Sequence, residues 1–516
     1  MIKKIFGMLL MATLALTLVA CGGETASFSG VSDATISIGS TFDPLNGVKA
    51  TDSKSGDITS EIEVTGSVNT AVADTYTITY KVTGSDGKEV TAVRKITVTN
   101  GNTGEAEEIV IMHGATYEVD PFHEDYTGND QPEKQQLQRQ VEAEYNVKIV
   151  YKSFPANAPW GPDRATAIIN ASVAGDPLAD IYWTTSDWTQ QLADKNAIVP
   201  IDKYLTTTGT NIDKDFLTVG EYQGNHYAFG PEKLTVDLGL YYNADLVSSL
   251  GVENPTQLFL DGEWTWSKFD SWANQVQTAL SSKGEDYYAL GGAFSSYAQS
   301  MVPLNGGQLI NQVTERVAFN QAPALETYGF LNELWTDGVF EPDGTYDAGS
   351  PLWQTGKVAM HPGSLWFVKA DNRWGGLAFE LGFVPYPVAD DFDVEDYVSP
   401  VSGVATYNLA SGMSEEREAL VFEVWNALQL WKTDAEFESE FQVSLITKFD
   451  KEIYVEAYLE IYDGIYLEII NALGVGAYSE SGWRRNINYG IKESTYRSLM
   501  SEIEPIYETA LEDYLS

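Results

Sequence analysis

The chain has 516 residues, of which 43% are apolar and 12% aromatic, and its formal net charge is −43. A chain of this length is too long for a single core, so we expect two to four domains. The excess of carboxylates repels phosphate backbones, which excludes nucleic acid as an expected partner. The four histidines are not closely paired and there is one cysteine, so the sequence indicates no zinc-type cluster, no other metal and no cofactor.

The N-terminus has the layout of a secretory signal. Lys3 and Lys4 precede an apolar segment, Ile5–Val19, whose 15 residues are fewer than the roughly 20 that a membrane-spanning helix needs. The single cysteine follows, and Leu18–Cys21 resembles the lipobox of bacterial lipoproteins. The resemblance implies cleavage before Cys21 and a lipid on its sulfur that anchors the protein at the extracellular face of the cell membrane. A plain signal peptide, 1–20, with an incidental cysteine is the alternative.

A short tether, 21–32, leads into a region of strand-like alternation, 33–100. Within Asp74–Thr83 large side chains recur at every second position, which predicts a half-buried strand. These side chains are Tyr76, Ile78, Tyr80 and Val82. A turn at Ser85–Gly87 and a second run over Val90–Val98 complete a predicted hairpin. Because no helical stretch interrupts the region, it is expected to be a small all-β sandwich.

The segment Lys49–Val98 resembles the Ig-like modules of bacterial surface proteins through the phrases GDIT and DTYTITY, although Asp74 stands where that family usually has glycine. Such modules usually act as spacers, so the resemblance implies no ligand for this region. A polar linker, 101–107, follows it.

Beyond the linker the pattern changes to alternating strands and helices. Ile109–Met112 and Val147–Tyr151 are short apolar runs typical of strands. Between them, Asp130 is expected to cap a helix. One face of that helix is apolar: Leu137, Val141 and Tyr145. A later amphipathic helix is predicted from four residues spaced 4, 3 and 3 apart: Val421, Trp425, Leu428 and Trp431. The remainder, 108–516, is therefore predicted to be α/β.

Familiar catalytic motifs are not found in the sequence. It contains no G-x-S-x-G elbow, no H-E-x-x-H pair, no G-x-x-x-x-G-K-[ST] loop and no G-x-G-x-x-G turn after a strand. Paired carboxylates stay possible, because 74 acidic residues allow many pairs. The acidic loop 390–396 lacks the glycine that an EF-hand needs, so we interpret it as a solvated loop rather than a calcium site.

Several segments, in order, resemble the extracellular solute-binding proteins of carbohydrate ABC transporters, the maltose-binding-protein-like family. They are Ser172–Leu205, Gly224–Leu246, Glu263–Ala273, Gly356–Val368, and Gly382–Asp391 followed by Ser399–Ser411. Two departures are Leu178-Ala179, where the family commonly has a second proline, and Gly363–Trp366, which replaces a glycine-rich approach to the tryptophan.

The resemblance implies an α/β two-lobed fold of the type II periplasmic-binding-protein class, behind the Ig-like sandwich, with the ligand in the cleft between the lobes. The expected first lobe comprises about 108–230 and 390–432, and the second about 235–385 and 440–516. The chain is expected to cross between lobes near 229–236, 385–392 and 430–445.

A sugar offers C–H faces and a rim of hydroxyls, so its site needs aromatic platforms and converging polar groups. The resemblance implies such roles for Asp187, Trp366 and the pair Trp483 and Arg484, and position suggests five more residues: Trp160, Trp183, Trp188, Glu232 and Tyr297. Each has a structural alternative: Asp187, for example, could cap the helix that begins at Trp188, and Trp183 or Trp483 could be core.

The interpretation favoured by the sequence is a monomeric, lipid-anchored binding protein, not an enzyme, that delivers a carbohydrate to the permease subunits of an ABC importer. A surface glycoside hydrolase or lyase with an Ig-like spacer is the main alternative, since hydrolysis needs two carboxylates roughly 5–10 Å apart. An adhesin is a third, but it leaves the tryptophans unexplained.

Overall fold

The computed structural model describes residues 25–37, 40–72, 74–99, 106–462 and 464–515. The predicted signal peptide, Cys21 and most of the predicted linker lie outside them.

The strands are β1 (Ala26–Ser29), β2 (Ala34–Ser37), β3 (Lys49–Asp52), β4 (Gly56–Asp57), β5 (Glu63–Thr65), β6 (Asp74–Thr83), β7 (Glu89–Thr99), β8 (Glu107–His113), β9 (Val147–Ser153), β10 (Ile181–Thr185), β11 (Ile198–Val199), β12 (Glu221–Tyr222), β13 (Asn225–His226), β14 (Ala228–Phe229), β15 (Leu238–Asn243), β16 (Tyr288–Leu290), β17 (Ile310–Asn311), β18 (Arg316–Val317), β19 (Val358–Ser364), β20 (Leu381–Val384), β21 (Ser399–Val401), β22 (Ala405–Ala410) and β23 (Ile465–Leu467).

The α-helices are α1 (Thr116–Val119), α2 (Gln131–Tyr145), α3 (Gly161–Val173), α4 (Thr189–Asp194), α5 (Asp202–Leu205), α6 (Lys214–Thr218), α7 (Ala244–Leu250), α8 (Pro255–Leu260), α9 (Trp266–Leu280), α10 (Phe294–Met301), α11 (Ala322–Thr336), α12 (Pro351–Gln354), α13 (Glu415–Ala427), α14 (Asp434–Lys448), α15 (Glu452–Leu459), α16 (Trp483–Lys492) and α17 (Tyr496–Leu515). Within the described ranges, none of these helices has the length and apolar character to span a membrane.

The chain forms two compact units. The first comprises the chain up to Ile109 together with Asp120–Val150, and the second comprises Val110–Val119 together with the chain from Tyr151 onward. The division runs through β8 and β9.

In the first unit, β1-β3-β4 and β2-β7-β6-β5 form two sheets. The predicted strand Asp74–Thr83 is β6, and Ile78, Tyr80 and Val82 are buried on one side of it as the alternation requires. Tyr80 also donates a hydrogen bond to the Pro44 carbonyl, so the phenol that the core buries has a partner. The all-β prediction is confirmed.

Helix α2 has the predicted apolar centre, because Val141 is buried. The predicted cap is wrong. Asp130 has a left-handed backbone, φ 56°, and its side chain makes no capping bond, since an extended N-cap conformation is what aims a carboxylate at the first amides.

Among the residues that the structure describes, the second unit contains three two-stranded sheets, β12-β13, β17-β18 and β21-β23, and two larger sheets. The first of the larger sheets has the order β11-β22-β10-β8-β9, with β14 added beside β22, and the second has the order β16-β19-β15-β20. We call the parts of the second unit around these sheets the first and second lobes. The second lobe has the larger apolar core, which includes Tyr241, Trp272 and Phe383. The chain passes between the sheets after β14, after β20 and after α13.

A partly buried ion pair stabilises the first lobe. The Asp180 carboxylate accepts from the Val110 amide at 2.8 Å and from Nε and Nη2 of Arg417 at 3.0 and 2.8 Å. It therefore joins the start of β10 to β8 and to α13, a helix more than 230 residues away in sequence.

Helix α13 is shorter than the spacing of apolar residues predicts. Val421 and Trp425 are buried within it, but Leu428 is its C-cap and Trp431 lies beyond its end. Trp431 still packs on Trp425, with ring centroids 6.1 Å apart, and its indole N–H donates to the Asn426 carbonyl. The apolar spacing therefore continues past the helix as tertiary packing.

Candidate ligand-binding site

Three tryptophans meet on the first lobe. Trp183 lies in β10, Trp188 ends the 3₁₀ turn that follows it, and Trp160 is the extended residue before α3. The ring of Trp160 lies 5.6 Å from that of Trp183 and 5.2 Å from that of Trp188. We call these three residues the indole cluster. Trp160 is 51% exposed, which a core residue of this size would not be.

The backbone under the indole cluster has to be free of a side chain. A Cβ on Gly114, just after β8, would lie 2.9 Å from the ring of Trp183. Trp183 also packs on His113, with ring centroids 4.5 Å apart. Burial lowers the pKa of His113 to about 4, so this imidazole is neutral at physiological pH.

Asp187 lies in the same turn, directly after β10. Its Oδ1 is buried and has no hydrogen-bond partner among the described residues. Burial raises the pKa of its carboxyl, while a Thr185 hydrogen bond and the charge of Arg484 act in the opposite direction. Helix α4 begins at Thr189, its N-cap residue is Trp188, and no side chain makes a capping bond there, so the structure gives no support to a capping role for Asp187.

A small pocket separates Asp187 from the second lobe. It is lined by Ser186 and Asp187 on the first lobe, by Ser402 and Gly403 between the lobes, and by Glu468 on the second. Its volume is about 10 Å³, the room of about one water molecule. The space beside Asp187 is therefore too small for a sugar ring.

Arg484 reaches this region from the second lobe. It donates to Gln299 Oε1 at 2.9 Å, and Gln299 Nε2 donates to Ser402 Oγ at 3.0 Å. This relay links α16, α10 and the segment that connects the two sheets. The sequence carries no sign of Gln299 or Ser402 as site residues, because they come together only in the fold.

Trp366 lies on the second lobe after β19 and is 48% exposed. The guanidinium of Arg373 covers one side of its ring at 4.8 Å. Behind it, the Leu365 amide donates to the Asp237 carbonyl at 2.6 Å, and Ser364 and Tyr346 share a hydrogen bond of 2.8 Å. These contacts hold the loop that presents the indole.

Not every predicted site residue reaches an accessible surface. Tyr297 is fully buried in the second lobe and its hydroxyl donates to the Gly291 carbonyl at 3.0 Å. Trp483 is 1% exposed at the start of α16, where its amide donates to the Tyr507 hydroxyl. Neither ring offers a free face for stacking. Glu232 is exposed on the segment after β14. Burial raises the pKa of Tyr407, and the charge of Glu232 adds to that effect.

The acidic loop 390–396 uses its carboxylates for local hydrogen bonds. Asp390 accepts from the amide and hydroxyl of Ser267, and Asp393 accepts from the Glu395 amide. Within the described part of the chain, no group of three or more His, Cys, Asp and Glu side chains is placed to hold a metal ion.

Glu468 makes stability depend on pH. Burial raises the pKa of its carboxyl to about 7, although the amides of Ile470 and Leu309 donate to it. Because the folded-state pKa lies above the unfolded value, the folded protein loses stability as pH rises from about 4.5 to about 7. We expect the melting temperature of Glu468→Gln to equal that of wild type at pH 4 and to exceed it at pH 8.

Differential scanning calorimetry at both pH values tests this expectation. Glu333→Gln, at an exposed position of α11, is the control and should follow wild type throughout. An equal shift of the Glu468→Gln melting temperature at pH 4 and pH 8 would contradict the titration.

Two family models match the chain. That of the bacterial surface protein Ig-like domain matches residues 26–98, and that of the bacterial extracellular solute-binding protein matches residues 127–410. The second match covers more than half of the 516 residues.

A comparison with curated proteins gives a relative that is itself a binding protein. A maltotriose-binding protein of Pyrococcus abyssi is 22% identical over 307 residues, which are 58% of this chain and 60% of that protein. The chain therefore spans less than two thirds of the length of this curated relative.

Two solved structures share the fold. The cyclic alpha-maltosyl-1,6-maltose binding protein of Arthrobacter globiformis has a TM-score of 0.56 at 15% identity, over 79% of this chain and 100% of that one. The GacH receptor of Streptomyces glaucescens, solved unliganded and in complex with acarbose, has a TM-score of 0.54 at 17% identity, over 79% and 99%.

These matches confirm the predicted type II periplasmic-binding-protein fold with an Ig-like domain before it. The matched family is one of binding proteins and is non-enzymatic, as predicted. The chain belongs to the bacterial extracellular solute-binding proteins.

Proposed function

We propose that this protein binds an oligosaccharide between the indole cluster and Trp366, with Asp187 and Arg484 as polar contacts. The observation that carries the proposal is the buried Oδ1 of Asp187, which has no partner among the described residues and lies beside the indole cluster. A buried acceptor without a donor is costly. Sugar hydroxyls are donors of the right kind, and a charged acceptor strengthens each bond.

The names of the relatives support a sugar. The Pyrococcus abyssi protein is a maltotriose-binding protein, and the Arthrobacter globiformis structure binds a cyclic maltosyl-maltose. Both ligands are oligosaccharides, and a cluster of three indoles with a fourth on the other lobe offers platforms for more than one sugar ring.

Titration with oligosaccharides tests the proposal. The chain carrying Cys21→Ser, mixed with maltotriose and with a panel of other oligosaccharides, is expected to show quenched tryptophan fluorescence and a raised melting temperature for at least one of them. The sugar should be recovered unchanged. Appearance of new reducing ends, or no response to any oligosaccharide, would reject the proposal.

Trp366→Ala measures the second platform. Because the ring is half exposed and Arg373 already covers one side, we expect sugar binding to weaken by about 1–2 kcal/mol, part of the value for burying a large side chain. Stability should change little. Isothermal titration calorimetry with the best oligosaccharide gives the difference.

Phe122→Ala is the matched control for Trp366→Ala. Phe122 is 43% exposed and also lies under an arginine, Arg139, at 4.9 Å, but it is not part of the proposed site. The Phe122→Ala variant should bind the oligosaccharide with the same affinity as wild type. Equal affinities of Trp366→Ala and wild type would remove Trp366 from the site.

We further propose that Cys21 carries a lipid and that the loaded protein serves an ABC importer as a monomer. The lipobox-like Leu18–Cys21 and the extracellular character of the family support this. In cells, wild type should remain with the membrane fraction and Cys21→Ser should be released. Equal retention of both would contradict the anchor.

A further inference from the structure

Arg164 is a charged side chain hidden under the indole cluster. It lies in the first turn of α3, is 2% exposed, and its guanidinium stacks on Phe154 at 4.0 Å and on Trp160 at 4.8 Å. Trp183 is the third ring around it, at 5.6 Å. Three aromatic faces therefore enclose one positive charge.

The charge has almost no hydrogen-bond acceptors. Nη2 donates to the Pro159 carbonyl, but Nε and Nη1 are buried without a partner among the described residues. Among the residues that the structure describes, Arg164 therefore makes no ion pair with a carboxylate. Buried guanidinium groups are normally paired, because leaving water without an acceptor is costly.

Two further features indicate that the charge is uncompensated. Burial lowers the pKa of Arg164 to about 10. Burial is the main cause of the lowered pKa of the neighbouring His113, and the charge of Arg164 adds to it. A carboxylate partner in the protein would raise the pKa of Arg164. It would also cancel much of the contribution of the Arg164 charge to the lowered pKa of His113.

Only a thin wall separates Arg164 from solvent. A Cβ on Gly114 would lie 3.2 Å from Nη2, and Gly114 itself is exposed. The other cover is the half-exposed ring of Trp160, which precedes Gly161, a residue with φ +65°. Rotation of one indole would bring Nε and Nη1 to the surface of the site.

We propose that Arg164 binds a carboxylate of the ligand, so that the substrate class is an acidic oligosaccharide, one that contains uronic acid residues. The proposal rests on the proposed function and adds to it the charge of the sugar. Guanidinium groups hold carboxylates through two parallel hydrogen bonds, which neutral hydroxyls do not match in strength. Trp160 then has two roles: it covers Arg164 in the free protein and stacks on the sugar in the complex.

The test compares acidic sugars with their neutral methyl esters, which have the same ring and linkage. The Cys21→Ser chain is titrated with trigalacturonate, trimannuronate and a glucuronate-containing hyaluronan tetrasaccharide, each beside its ester, and with maltotriose. We expect at least one acid to bind at least tenfold more tightly than its ester. Arg164→Gln should reduce that ratio to about one and leave the affinity for the ester within twofold.

Arg497→Gln is the matched control, because Arg497 is exposed and also stacks on an aromatic ring, Tyr496, at 5.5 Å. Arg497→Gln should keep the wild-type preference for the acidic sugar over its methyl ester. If Arg164→Gln does not fold, the NMR signal of the Arg164 Nε–H in the wild-type chain serves instead. That signal should shift when the acid binds and stay in place with the ester.

The outcomes separate the two proposals. Tight binding of maltotriose with no preference for any acid over its ester overturns the role of Arg164 and leaves the proposed function standing. A preference that Arg164→Gln retains also overturns it. Failure of every oligosaccharide, acidic or neutral, overturns both.

Discussion

Asp187→Asn is expected to bind the oligosaccharide about 10- to 100-fold more weakly than wild type and yet to melt at a higher temperature. The affinity falls because hydrogen bonds to a charged acceptor contribute about 1.5–3 kcal/mol. The melting temperature rises because burial raises the pKa of this carboxyl, so its ionised form destabilises the free protein at neutral pH. An amide of the same shape carries no such cost.

Both effects can be measured on one sample at pH 7. Isothermal titration calorimetry gives the loss of affinity, and differential scanning calorimetry without sugar gives the rise in melting temperature. The stabilisation should disappear at a pH low enough to protonate Asp187 in wild type, since both side chains are then neutral. Asp176→Asn, an exposed position before β10, should match wild type in both measurements. A variant that loses affinity and stability together would make Asp187 a structural residue.

Asp180→Asn, seven residues earlier, is expected to have the opposite character. Removing the carboxylate leaves the guanidinium of Arg417 without its buried partner and weakens the bond from the Val110 amide. Loss of one member of a buried pair costs about 3–5 kcal/mol, and we expect about 3 kcal/mol because the Arg417 side chain is a quarter exposed.

Urea denaturation followed by tryptophan fluorescence measures this loss. At a temperature where the variant is folded, its sugar affinity should equal that of wild type, since Asp180 does not face the site. The control is Asp286→Asn, which breaks the exposed pair with Lys357 at 3.5 Å and should cost less than about 1 kcal/mol. A loss no larger than that of the control would show that the Asp180 pair does not stabilise the first lobe.

Asp180 and Asp187 illustrate which properties of a residue the local sequence predicts and which depend on the fold. Both lie in the same stretch around β10, seven residues apart, and the family resemblance implies a site role for Asp187 alone. In the structure Asp180 meets an arginine from α13, whereas Asp187 faces a pocket that includes Ser402 and Glu468. Arg417, which pairs with Asp180, and the pocket residues Ser402 and Glu468 beside Asp187 all lie more than 200 residues away in sequence. Spacing within the stretch therefore carries no information about which carboxylate is satisfied.

The segment Trp160–Trp188 shows the same limit for the aromatic residues. The indole cluster lies within one short part of the chain, and loops beside a predicted strand made its members candidates. Trp483, by contrast, has the same residue type and a suggestive neighbour in Arg484, but the core of the second lobe covers it. The sequence does not single out Arg164 as a site residue, because a single arginine in a helix normally lies at the surface.

The sequence by itself determined the secondary structure of the sandwich, the change to an α/β pattern and the family resemblance, because periodicities of two and 3.6 residues and short motifs are properties of neighbouring residues. Tertiary structure alone decided which tryptophans are exposed and which carboxylate is paired with an arginine. It also placed the Arg164 guanidinium beneath an indole, with no carboxylate partner among the described residues. Burial and hydrogen bonding depend on segments that the chain brings together only when it folds, and those contacts set the cost of each polar group.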